Sequence, residues 1–204
     1  MLIDHLVYAA PDLDVLVSDV EQRLGVAAVP GGRHEGLGTH NALLALGPRT
    51  YLELIAPDPT QPEPATPRPF GVDGVSEARL VAWALACDDI VRVVESARRE
   101  GFDPGDVVPA ERATPSGLVL RWRLTTNALS GGVVPFLIDW GDTPHPASKA
   151  PTGAVLDSFR LEHPEAESLL PRLRALRADV EVRPASRAGL VAQVTGPGGT
   201  LLLR

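Results

Sequence analysis

The feature that most narrows the folds open to this chain is that it repeats itself. A strand-like run at 2–9 is followed by Asp12 and then by Leu13, Leu16, Val20 and Leu24 at helical spacing, until Gly25 stops the pattern. The same order returns with a strand at 79–86, a cap at Asp88 or Asp89, and a helix over 90–99 closed by Gly101. Asp12 lines up with Asp88 and Gly25 with Gly101, both at an offset of 76. A third round matches Asp4 and Pro11 to Asp157 and Pro164, both at an offset of 153. It reads as a strand at 157–162, a helix at 165–176, a strand at 180–183, and a hairpin of 190–194 with 200–203. Supersecondary units that recur in this way bury their apolar faces against one another. The chain is therefore read as α+β, with repeated βαβββ modules at 1–58 and 78–145. A proline-rich linker at 59–77 joins them, and a third βαβββ-like repeat, partial or full, occupies 153–204.

Within the first module, 31–59 carries the densest set of reactive side chains. His34, His40, Asn41 and Glu53 lie in a segment that reads as two strands, 41–46 and 51–55, joined across Gly47-Pro48-Arg49-Thr50. Alternation puts His40, Ala42 and Leu44 on one face of the first strand and Asn41 on the other, so only one of His40 and Asn41 faces a cavity unless a bulge intervenes. His40 is the expected one. Tyr51, Glu53 and Ile55 share a face, and a carboxylate in the middle of an apolar strand is costly to bury without a partner. That partner is either a ligand or an ion pair with Arg121 or Arg123, whose strand at 118–124 could lie opposite. His34 sits among glycines that would let backbone amides approach a ligand.

The second module offers Trp83 and Trp140 as flat groups for stacking or for core packing, and Asp139 as a ligand, a base or an exposed strand end. His145 and His163 precede prolines and read as structural. Cys87 abuts a helix cap but has no histidine placed beside it.

Composition removes other classes. Net charge is −7, against nucleic acid and anionic membrane as general partners. No apolar run approaches the ~20 residues of a membrane span. The start does not read as a signal peptide, and the single cysteine makes no intramolecular disulfide, so a reducing cytoplasm is expected. No Walker loop, Gly-x-Gly-x-x-Gly or HExxH is present, so no nucleotide cofactor is expected.

The motifs Ile3-Asp4-His5-Leu6-Val7-Tyr8, Gly31-Gly32-Arg33-His34, Gly36-Leu37-Gly38-Thr39-His40-Asn41, Tyr51-Leu52-Glu53-Leu54-Ile55 and Pro135-Phe136-Leu137-Ile138-Asp139-Trp140-Gly141 occur in order. Together with the βαβββ repeat, they resemble the vicinal-oxygen-chelate superfamily of glyoxalases, epimerases, ring-cleaving dioxygenases and antibiotic-resistance proteins, and its glyoxalase-like branch above all. The resemblance implies two modules whose curved sheets enclose a cavity holding a divalent metal (Zn, Mn, Ni or Fe), with a homodimer common among its members. Carried over by residue, the metal ligands are His5 and Glu53. The second module departs from the pattern, because Val81 stands where His5 would and the last-strand acid is either absent at Leu137 or shifted to Asp139. The implied catalytic set is Glu53, His40 and Asp139, and the implied substrate contacts are His34, Asn41, Trp83, Arg121 and Trp140. Lyase or isomerase chemistry on a small oxygenated metabolite is the expected activity. The alternative is a metal-free pocket of the same fold that sequesters a small molecule.

Overall fold

A computed structural model describes residues 1–114 and 117–204, without the side chain of residue 129. The first module runs β1 (Ile3–Ala9), α1 (Leu13–Leu24), β2 (Val29–His34), β3 (Thr39–Gly47) and β4 (Thr50–Pro57). The second repeats it as β5 (Arg79–Ala86), α2 (Ile90–Arg99), β6 (Val107–Ala113), β7 (Val119–Thr125) and β8 (Phe136–Asp139). In each, the first strand lies parallel to the last, β1 beside β4 and β5 beside β8. The modules join through the antiparallel pair β1–β5 and close through β2–β6, giving a barrel in the order β1-β4-β3-β2-β6-β7-β8-β5.

The helices start and stop where the sequence chemistry asks. The Asp12 carboxylate accepts from the Val15 N–H at the start of α1, and Gly25 ends it at φ 68, a left-handed conformation that costs glycine little. In α2 the capping side chain is Asp89, which accepts from the Arg92 N–H, so the sequence match of Asp12 to Asp88 is one residue off. Leu13, Leu16, Val20 and Leu24, with Ile90, Val94 and Ala97, are the faces these helices bury against the outside of the barrel.

The third unit keeps the element order and changes the pairing. It comprises β9 (Val155–His163), α3 (Ala166–Ala175), β10 (Glu181–Pro184), β11 (Gly189–Gly196) and β12 (Gly199–Leu203). Its sheet runs β10-β9-β11-β12, so β9 is central and its parallel partner is β10 rather than the last strand. Leu161, Leu190, Ala192, Val194, Leu201 and Leu203 form one core with Leu6, Tyr8, Trp83 and Leu85 from the outer faces of β1 and β5. The β11–β12 turn seats on the end of α1, where the Gly198 N–H donates to the Leu24 carbonyl at 2.8 Å. A Cβ on Gly198 would lie 2.7 Å from the Gly25 nitrogen, which requires glycine there.

A second core fills the barrel from within, built by Val7, Ala9, Ile55, Ala82, Ala84, Phe136 and Ile138. Val72 and Val75, from the segment between the modules, belong to it. The segment between the modules thus also packs into the inner core. No helix is long and apolar enough to cross a membrane among the described residues.

Asp58 anchors that stretch to the barrel. Its carboxylate accepts from the Thr60 N–H (2.9 Å) and hydroxyl (2.6 Å), from Gln61 Nε2 (3.0 Å) and from Arg33 Nε (2.7 Å). Burial alone would raise its pKa, but these bonds outweigh it and hold the group far below the usual carboxylate range. A carboxyl depressed on folding contributes stability that is full above its unfolded pKa, near 3.9, and lost as pH falls below it. Asp58→Ala is expected to cost about 2–3 kcal/mol in urea unfolding at neutral pH. The gap to the wild type should narrow as the pH is lowered from about 5 to about 2. A pH-independent gap would mean that the carboxylate charge plays no part.

Candidate functional site

A cavity of about 580 Å³ opens into the barrel. The strand registers put its polar residues together. Parallel pairing sets His5 against Tyr51 and Val7 against Glu53, and antiparallel pairing sets Leu43 against Glu53 and Asn41 against Ile55. His5, Asn41, Tyr51 and Glu53 therefore project from three adjacent strands into one space, and His34 reaches it from the end of β2. The far wall is Arg112 on β6 and Trp122 on β7, with Phe136 and Trp140 from β8 and just beyond it.

Glu53 is the centre of this group and only 5% exposed. Asn41 Nδ2 donates to its Oε1 at 2.5 Å, His5 Nε2 stands 3.7 Å from Oε2, and His34 Nε2 stands 3.9 Å from Oε1. The protons on both imidazoles follow from their other contacts. His5 Nδ1 lies 2.7 Å from Asp4 Oδ1, and an ionised carboxylate can only accept, so Nδ1 donates. In the neutral ring Nε2 is then a bare lone pair facing Glu53. His34 Nδ1 meets Thr39 Oγ1 at 2.9 Å, while its Nε2 is 3.5 Å from the donating Asn41 amide, so Nε2 is again the acceptor. Burial lowers the His34 pKa to about 4, aided by Arg112 and His40 against the pull of Glu53, which keeps the ring neutral at pH 7.

Behind His5, the fully buried Asp4 also accepts from Trp140 Nε1 at 3.1 Å and His145 Nε2 at 3.0 Å. Burial acts to raise its pKa, and the hydrogen bonds from His145 and His5 bring it down to about 2. The His5 ring stacks on Tyr51 with centroids 4.6 Å apart.

Among the candidates read from the sequence, the structure gathers His5, His34, Asn41, Glu53, Arg121 and Trp140 around the cavity. His40 is not among them and lies instead near Asp12, Asp58 and Pro57 on the opposite face of β3. The cause is a register shift between Ala45 and Gly47. Counting back from the Gly47–Thr50 turn without it would set Glu53 opposite Leu44, in phase with His40. The extra residue sets Glu53 opposite Leu43, in phase with Asn41.

Trp83 is also outside, because it alternates with the inward-facing Ala82 and Ala84 and packs on Phe159. Asp139 alternates with Ile138 and turns away from the cavity. Its carboxylate accepts from Arg123 Nη2 (2.6 Å) and the Gly141 N–H (2.9 Å), and lies 3.4 Å from the Ile90 N–H at the start of α2. Arg121 stands at the mouth, paired with Glu111. Neither Arg121 nor Arg123 is therefore the ion-pair partner of Glu53. Burial, and then Asp139, push the Cys87 thiol up to about 12, which disfavours the nucleophilic thiolate.

Contributors not singled out from the sequence include Asp4, Tyr51 and Arg112. Asp4 and Tyr51 sat inside quoted motifs, beside His5 and two residues before Glu53. Nothing in the local sequence marks Arg112.

The donor chemistry fits a divalent metal. The Nδ1 atoms of His5 and His34 are held by hydrogen bonds, and their Nε2 atoms stand 3.7 and 3.9 Å from the Glu53 carboxylate. The spacing, as it stands, does not close around an ion: among the described residues no group of three or more His, Cys, Asp or Glu side chains is placed to hold one. The second module contributes Phe136 and Ile138 where a ligand would be sought.

Comparison with known proteins adds three findings. The glyoxalase-like domain family profile matches residues 3–177. No curated protein matches the chain. Among solved structures, a hypothetical protein from Staphylococcus aureus superposes with a TM-score of 0.69 at 14% identity, over 99% of this chain and 98% of its own, which is a likeness of fold. Methylmalonyl-CoA epimerase from Mycobacterium tuberculosis gives 0.45 at 19% identity, over 70% of this chain and 88% of its own. The Streptomyces coelicolor epimerase in complex with 2-nitronate-propionyl-CoA gives 0.48 at 20%, over 72% and 99%.

Proposed function

Because the chain belongs to the glyoxalase-like domain family, we propose that its cavity is the active site of a lyase or isomerase acting on a small oxygenated metabolite. The observation that carries this reading is His5 Nε2 facing the buried Glu53 carboxylate at 3.7 Å, with the other ring nitrogen tied to Asp4.

His5 and Glu53 are the residues that would hold a divalent metal (Zn, Mn, Ni or Fe), with His34 the nearest further imidazole. When bound, the metal supplies Lewis-acid polarisation of a carbonyl or hydroxyl oxygen. The chain's own groups do the rest. Asp4 fixes the His5 ring and its tautomer, and Thr39 does the same for His34. Asn41 orients the Glu53 carboxylate. Glu53 is placed to take a proton from the carbon beside the carbonyl and return it to that carbon or its neighbour, which is the step shared by isomerases and epimerases. Trp122, Phe136 and Trp140 exclude water from the same space.

The test is the metal content of the purified protein after incubation with Zn²⁺, Mn²⁺, Ni²⁺ or Fe²⁺, beside His5→Ala and Glu53→Ala. The expected result is stoichiometric metal in the wild type and loss in both variants, with circular dichroism unchanged. No metal in the wild type overturns the metalloenzyme reading. It would favour the metal-free binding pocket, which the apolar Phe136 and Ile138 of the second module already suit.

A further inference from the structure

Arg112 is the anomaly of this cavity. It is 5% exposed and lines the space beside Asn41, yet among the described residues it forms no ion pair with any acid. Its Nη1 donates to Asn41 Oδ1 at 2.7 Å, and its buried Nε has no hydrogen-bond partner among the described residues. The arginines on the neighbouring strand differ, since Arg121 pairs with Glu111 and Arg123 with Asp139. A guanidinium is never neutral in a protein, so burying one without an anion is costly unless an anion arrives from outside.

The fold has made room for it deliberately. A Cβ on Gly31 would lie 2.7 Å from Arg112 Nη1 and 2.2 Å from Asn41 Oδ1, and one on Gly32 would lie 3.2 Å from the Arg112 Cγ and Cδ. Two successive glycines inside β2 weaken that strand, and what they gain is the channel through which the Arg112 stem passes.

We propose that Arg112 is the subsite for a ligand carboxylate, so that the cavity takes small apolar carboxylic acids. A planar carboxylate matches the guanidinium fork. Asn41 spaces the two ends of the ligand, because its amide accepts from Arg112 on one side and donates to Glu53 on the other. A carboxylate on Arg112 therefore sets its neighbouring carbon opposite Glu53, with the apolar remainder against Trp122, Phe136 and Trp140. The proposal takes the cavity as the ligand site, as above, but depends on neither the metal nor proton transfer.

The experiment compares phenylacetate with its neutral isostere phenylacetamide, by calorimetry on the full chain stripped of metal with EDTA. The expected result is binding of phenylacetate about tenfold or more tighter than the amide. Arg112→Gln should abolish the difference, and Arg112→Lys, which keeps the charge without the fork, should keep part of it. Equal affinities in the wild type, a preference that survives in a folded Arg112→Gln, or binding of neither probe at millimolar concentration would each overturn the subsite. Because the protein is metal-free throughout, failure of the metalloenzyme reading would leave this result standing, and the metal analysis does not involve Arg112.

Discussion

Replacing Trp83 by alanine is expected to lower the stability of the whole protein by about 3–5 kcal/mol while leaving the cavity intact. Trp83 is 1% exposed on the outer face of β5. It pairs across β1 with Leu6, its ring packs on Phe159 of β9 with centroids 5.0 Å apart, and its Nε1 donates to the Val133 carbonyl at 2.9 Å. The side chain thus ties the barrel to the third sheet and to the loop before β8. Alanine would open a void between two layers that the strand frameworks prevent from collapsing, and would leave the Val133 carbonyl without its donor. Trp83→Phe, which keeps a ring against Phe159 but loses the hydrogen bond, should cost about 1–2 kcal/mol. Urea unfolding followed by circular dichroism measures both. A loss under about 1 kcal/mol for Trp83→Ala would show that the C-terminal sheet stabilises the barrel little, despite its shared core.

Trp83 also shows what sequence periodicity can and cannot resolve. The βαβββ repeat was legible because caps and stops mark the first two helices, with Asp12 and Gly25 answered by Asp89 and Gly101. Which face of a strand looks inward was not, because both faces of the barrel are buried. One lies under helices and the third sheet, the other around the cavity, so β1, β3, β4 and β5 are apolar on both sides. Alternation correctly separated His40 from Asn41 but gave no means of choosing between them. The choice was made by a one-residue shift near the turn, which no composition rule announces.

His5 and Glu53 could be found because they are polar in the middle of apolar strands. Arg112 could not, since β6 reads as an ordinary exposed strand with Arg112 its single buried residue. The third unit carried the repeated order of elements, but strand order is set by which edges dock. The β11–β12 turn docks on α1 and β9 takes the centre.

Asp4→Asn is the substitution that should separate the architecture of the site from its chemistry. Asp4 receives three donors: His5 Nδ1, Trp140 Nε1 and His145 Nε2. The last is protonated because His145 Nδ1 already accepts from the Ala147 N–H at 3.2 Å. Asp4→Ala would strand all three and is expected to cost about 3–5 kcal/mol. Asparagine keeps the volume but offers one oxygen and one NH₂. The indole N–H of Trp140 can only donate, so the amide oxygen must stay on the side of Trp140 and His145, and the NH₂ must face His5. Two donors cannot share that bond, so His5 has to move its proton from Nδ1 to Nε2, the nitrogen that faces Glu53. The lone pair that would take a metal is then gone, although ring, carboxylate and cavity remain in place. Long-range ¹H–¹⁵N correlation spectra should show His5 as the Nδ1–H tautomer in the wild type and as Nε2–H in the variant. Metal affinity should fall by about 10–100-fold, the range for losing a histidine's supporting hydrogen bond. If the tautomer is unchanged in a folded Asp4→Asn protein, Asp4 does not set the protonation of His5. If the tautomer reverses and metal affinity does not fall, His5 is not a ligand.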